Sequence, residues 1–181
     1  MGCSIAHRPG VRFQNDDIRD IMMAMARKEY PLSQKEFDAI YAKVPRLTVE
    51  VILKNDAGAI FMTKRAMSTG ITAACYGKWC LPSGTVQFGE TLQQAVARVA
   101  RREVGAHVKK AELRGYIDYP SHFEHGMDCV VGIVFEVLDY SRTIRINAEA
   151  SDSGWFTVLP KAAHPDEDDF LVGYGYLKRP F

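Results

Sequence analysis

Gly77-Lys78-Trp79-Cys80-Leu81-Pro82-Ser83-Gly84 opens the stretch that decides the fold, and the segment after it runs to Gly105. The order reads as strand, glycine turn, loop and helix. Thr91 and Gln94 have the spacing of a capping box at the helix start, and Gly105 supplies a C-terminal stop. Between them Leu92, Ala95, Val96, Val99 and Ala100 recur at three-four spacing, which gives one apolar stripe facing a sheet. Glu103 lies four residues after Val99 and continues that stripe. A carboxylate there is costly to bury unless it is paired or bound to a metal. Glu103 is therefore the first candidate functional residue. Arg98 lies off the centre of the stripe; it can brace the loop by pairing with Glu90, or bind a phosphate through its fork.

Outward from this helix, the chain alternates strand and helix signals. Leu47–Leu53 and Ala59–Met62 flank Asn55-Asp56-Ala57-Gly58, a hairpin turn. Lys64 and Arg65 close the second strand. Residues 66–76 form a loop of small and polar residues, a place where specificity is often carried. Further strands are expected over 111–118, 128–137, 143–147 and 155–158, with the near-continuous apolar run Cys129–Phe135 in a central position. Pro165 and the acids after it suit the start of a short last helix. Before the strands, residues 1–14 read as an arm. Residues 16–29 have helical spacing, and Ser33 with Glu36 caps a second helix through about Lys43. The expected division is a 1–46 arm and helical extension followed by a 47–181 domain. The N-terminal helices suit packing or a homodimer.

The 181 residues suffice for one domain with a sizeable core. Net charge is +1, which gives no electrostatic footprint for nucleic acid or an anionic membrane. No apolar run reaches the roughly 18 residues of a membrane helix. Cys3, Cys75, Cys80 and Cys129 show no CxxC spacing, so no zinc is expected, and a reduced cytoplasmic protein is expected. Met1-Gly2-Cys3-Ser4 has Ala6 where an acylation signal needs Ser or Thr, and no secretory signal is expected.

Gly84, Glu90, Arg98, Glu103 and Gly105, preceded by Gly-x-Trp-x-Leu-Pro-x-Gly, resemble the Nudix box over a region of roughly 47–160. The resemblance implies an α/β fold, an α/β/α sandwich around a mixed sheet. It also implies hydrolysis of a small-molecule nucleoside diphosphate derivative with Mg2+ or Mn2+. Val99 and Arg102 stand where the box has two further Glu residues. That altered box is most like the branch of GDP-mannose mannosyl hydrolase, which implies a nucleotide sugar as substrate. Carried over, the resemblance implies metal ligands at the Ser83 carbonyl, Glu103 and Glu149, with Gly84, Glu90 and Arg98 as a structural brace. Ala150 stands where the branch has a general-base His, so Glu149 or Asp152 is left to activate water. His122, followed by Phe123, resembles a His-Phe pair of the branch and is a candidate for acid-base work, ahead of His125. Arg65 and Arg98 are the candidate substrate-binding cations, with Lys64 beside Arg65. Cleavage at phosphorus or at sugar carbon stays open. The alternative is a non-catalytic Nudix fold that binds nucleotide or protein.

Overall fold

The computed structural model describes residues 32–66, 75–124, 128–141 and 143–180. The arm over 1–14, the helix expected over 16–29, most of the loop over 66–76, and His125 lie outside the described residues. The first described helix, α1 (Gln34–Tyr41), is closed by the Ser33–Glu36 capping box.

Strand β1 (Arg46–Leu53) is buried from Thr48 onward. Its period of two divides it between two cores. Val49, Val51 and Leu53 face one cluster, and Ile52 faces the other. β1 pairs in parallel with β6 (Val130–Tyr140) and antiparallel with β4 (Ser83–Thr85), and β6 pairs antiparallel with β5 (Val108–Asp118). The result is a mixed sheet ordered β4-β1-β6-β5. A second, antiparallel sheet is ordered β3-β2-β7, from β3 (Trp79–Cys80), β2 (Ile60–Arg65) and β7 (Ala150–Phe156). The run expected to be central does lie between two strands, and burial on both faces explains its unbroken apolar character.

Helix α2 (Leu92–Val104) covers one face of the mixed sheet. Its stripe residues Ala95, Val96, Val99 and Ala100 pack with Val49, Val51, Leu53, Phe135 and Val137. Both halves of the capping box are present, and Gly105 ends the helix in the left-handed region at φ 69°. Helix α4 (Pro165–Gly173) brings Phe170 and Leu171 into the opposite cluster with Ile52, Ile117, Val130 and Val134. Full burial of such side chains stabilises by about 1.5–3 kcal/mol each. The layers are thus helix, sheet, helix. A short helix α3 (Pro120–Glu124) follows β5. Among the described residues no helix is long and apolar enough to cross a membrane.

Two expectations change. Residues 143–147 form no strand. Their backbone is drawn to the end of α2, where Arg145 N–H donates to the Val104 carbonyl at 2.8 Å. The last strand begins at Ala150 rather than Trp155, because residues 150–156 pair along β2.

Candidate active site

Gly84 sits against α2. A Cβ there would meet Val99 Cγ2 at 2.8 Å, so only glycine lets β4 approach the helix this closely. Val99 is fully enclosed at that contact. The position is used for packing, which accounts locally for an apolar residue there. One helical turn further on, Glu103 is 4% exposed.

The loop before α2 is tied down by Arg98. Its Nε donates to Glu90 Oε2 at 2.9 Å, and its Nη2 donates to Glu90 Oε1 at 2.6 Å and to the Thr85 carbonyl at 2.8 Å. The Gln87 N–H also donates to Glu90 Oε1, at 2.6 Å. Burial works to raise the Glu90 carboxyl, but these bonds outweigh it and hold it below the usual range. Arg98 is engaged with the loop, and Ser83 opens β4 opposite Glu50 of β1.

Glu103 and Glu149 share two guanidinium groups. Arg65 Nη1 lies 3.7 Å from Glu103 Oε2 and 3.4 Å from Glu149 Oε2. Arg102 Nε lies 3.4 Å from Glu103 Oε1, and Arg102 Nη2 pairs with Glu149 Oε1. Burial raises the Glu103 carboxyl above its ordinary range, and the charge of Glu149 raises it further, against the pull of Arg65 and Arg102. Asn147 fixes the loop. Its Oδ1 accepts from the Glu149 N–H at 2.9 Å, and its Nδ2 donates to the Arg102 carbonyl at 3.3 Å. The Glu149 carbonyl accepts from the Ala66 N–H at 2.9 Å. The sequence signal for this tether is Asn147, a turn-forming residue two before Glu149.

Glu103, Glu149 and Arg65 are therefore brought together, with Arg102 and Asn147 added. Asp152 lies on β7, exposed, with its Oδ1 accepting from the Ser153 N–H at 2.8 Å. Lys64 Nζ lies 6.0 Å from the centre of the Trp79 ring. His122 is 6% exposed and its partners are different: Nδ1 lies 3.4 Å from Asp128 Oδ1 and Nε2 lies 3.3 Å from Cys75 Sγ. Burial lowers the affinity of His122 for a proton, but the bonds to Asp128 and Cys75 outweigh it and carry its pKa to about 9. Asp128 is opposed by burial too, yet His122 and Arg46 bring it down to about 2.

A second buried acidic pair was not legible in the sequence. Glu50 on β1 and Glu167 on α4 are each 2% exposed. Glu50 Oε1 accepts from Thr48 Oγ at 2.7 Å, while its buried Oε2 has no hydrogen-bond partner among the described residues. Glu167 Oε2 accepts from the Leu81 N–H at 2.8 Å, and Tyr119 donates to Oε1 at 3.4 Å. Gly132 leaves room for this pair's surroundings, since a Cβ there would meet Glu50 Cγ and Oε1 at 2.8 Å and Tyr119 at 3.0 Å.

Comparison with known proteins agrees with the fold. A model of the NUDIX domain matches residues 44–171. The low-salt glycan biosynthesis protein Agl8 of Haloferax volcanii is 26% identical over 140 residues, covering 75% of this chain and 86% of that protein. The nucleoside triphosphatase NudI of Enterobacter sp. is 28% identical over 119 residues, 62% of this chain and 82% of that protein. Among solved structures, a MutT NUDIX hydrolase from Burkholderia pseudomallei superimposes with a TM-score of 0.59 at 25% identity, covering 69% of this chain and 95% of that one.

Proposed function

The chain belongs to the Nudix family and is a Nudix-type hydrolase of nucleoside diphosphate derivatives, and from that premise we propose that its substrate is a nucleotide sugar and its cofactor a magnesium or manganese ion. The convergence of Glu103 and Glu149 carries the metal part of this reading. Two carboxylates facing each other repel, and a divalent cation between them would relieve that repulsion. Carboxylate and carbonyl oxygens are the hard donors such an ion takes, with water filling its remaining positions. The donor set fits the group. Glu103, Glu149 and the Ser83 carbonyl would hold it, and when bound it supplies neutralisation of charge on the diphosphate.

The protein's own groups do the rest. Arg65 and Arg102 carry planar guanidinium groups suited to phosphate oxygens. Arg98, braced to Glu90 and Thr85, keeps the loop ahead of α2 in place. Glu149, a third exposed at the loop edge, would take a proton from attacking water through its carboxylate. The sugar part is supported by the altered box and by the relative named for glycan biosynthesis.

Manganese binding, read by electron paramagnetic resonance, tests the metal assignment without turnover. One strongly held ion per chain is expected, weakened about 10-fold or more in Glu103→Gln and in Glu149→Gln. Unchanged affinity in both variants would remove these residues from the metal site.

A further inference from the structure

Cys75, His122 and His164 come from three separate segments and meet at one point. Their Sγ and two ring nitrogens all lie within 4.8 Å of one another. Cys75 Sγ is 3.3 Å from His122 Nε2 and 3.8 Å from His164 Nε2. We propose that these three residues form a transition-metal site of the zinc class, separate from the oxygen-donor site at Glu103 and Glu149.

The distances suit a shared ion. In a tetrahedral zinc site with Zn–S about 2.3 Å and Zn–N about 2.0–2.1 Å, sulfur and nitrogen stand about 3.6 Å apart. The two observed separations straddle that value. Thiolate and imidazole are also the softer donors that zinc takes and magnesium does not. Three protein ligands leave one position for water or a substrate group.

The backbone builds the site deliberately. Cys75 sits in a turn closed by its carbonyl accepting from the Lys78 N–H at 3.1 Å, with Gly77 in the left-handed region. The His164 N–H donates to the Trp79 carbonyl at 2.9 Å, which seats His164 beside that turn. His122 rides on α3, and α3 is tied to the start of α4 by Ser121, whose N–H donates to Asp166 Oδ2 at 3.2 Å. Tyr119 lies edge-on against both imidazole rings, with centroids 5.4 Å and 5.3 Å away.

The surrounding shell has the character of a metal site. Metal-bound imidazoles commonly pass their other ring N–H to a carboxylate. Asp128 faces His122 Nδ1 at 3.4 Å and is itself held by Arg46. For His164, metal at Nε2 puts the ring proton on Nδ1, and the Asp166 carboxylate, whose Oδ2 is 3.9 Å away, has to move closer to accept it. That tautomer replaces the present contact of the Asp166 N–H with Nδ1 at 3.3 Å. Tyr119 also donates to Glu167, so buried acids lie close behind the rings. The CxxC test fails to find this site because its ligands are 47 and 42 residues apart in sequence.

Cobalt(II) is the probe. Chelator-treated full-length protein should take up one equivalent in a site showing a thiolate-to-cobalt charge-transfer band and intense tetrahedral visible bands, and zinc should bleach both. The band should vanish in Cys75→Ser and persist in Glu103→Gln, which separates this site from the proposed hydrolytic one. Asp128→Asn should bind cobalt about 10- to 100-fold more weakly; it keeps the side-chain shape and serves if Cys75→Ser does not fold. No charge-transfer band at one equivalent, a band retained in Cys75→Ser, or unchanged affinity in Asp128→Asn would each overturn the assignment.

Discussion

Replacing Glu103 by Gln is expected to cut magnesium-dependent turnover by at least about 100-fold while leaving the fold intact. A bound divalent ion contributes several kcal/mol of charge stabilisation in the transition state, and each 1.36 kcal/mol is tenfold in rate. Gln keeps the shape and one acceptor oxygen but loses the charge that holds the ion. Stability should not fall with it. The Glu103 carboxyl is raised by burial and then by Glu149. A group whose folded pKa lies above its unfolded value gives up stability as pH rises past the unfolded value, because the unfolded chain releases its proton first. At neutral pH and without metal, Glu103→Gln should therefore be at least as stable as the parent. Steady-state rates on a nucleoside diphosphate sugar, with thermal unfolding in chelator, check both halves. A variant with parental turnover would take Glu103 out of catalysis. A variant that has lost both turnover and fold would make Glu103 a structural residue.

Glu167 should show the opposite pattern, with stability at stake and the choice of replacement deciding the size. Glu167→Ala is expected to lose at least about 3 kcal/mol, because the Leu81 N–H is left unpaired in the interior, Tyr119 loses one acceptor and a cavity opens. Glu167→Gln keeps an acceptor for Leu81 and should lose far less. The pH dependence separates them further. Burial, and then the charge of Glu50, push the Glu167 carboxyl well above the usual carboxylate range. An unfolded glutamate titrates near about 4.3, so the parent should lose stability as pH rises from there toward the folded pKa. Glu167→Gln should flatten that decline. Denaturant unfolding between pH 4 and 8 measures it. Equal losses for Ala and Gln, or a decline just as steep in Glu167→Gln, would mean that the buried pair does not govern this part of the stability.

Local signals were readable where one element contained its own cause. Thr91, Gln94 and Gly105 fixed the ends of α2, and its three-four stripe fixed the buried face. Glu103 could be singled out because it breaks that stripe's chemistry at a position the helix buries. The Cys129–Phe135 run read as central because a strand covered on both faces has no polar side to show. Residues 143–147 form no strand although β-branched, because their backbone turns to the end of α2 through the Arg145 N–H to Val104 carbonyl bond, between residues 41 apart in sequence. Glu167 misled for a related reason. Acids in a helix's first turn usually meet solvent and the helix dipole, but α4 begins against β3, and its third residue points into the core. The meeting of Cys75, His122 and His164 depends on three chain segments that no local spacing connects.

The proposed reaction is hydrolysis of a nucleotide sugar through a divalent ion held at Glu103. Its most direct test is incubation of the purified protein with magnesium and a panel of nucleoside diphosphate sugars in water labelled with heavy oxygen. The expected result is a metal-dependent product carrying one labelled oxygen, absent in Glu103→Gln. Label in the free sugar would assign attack to carbon, and label in a phosphate product would assign it to phosphorus. No product from any nucleotide sugar, with magnesium or manganese present, would contradict the claim.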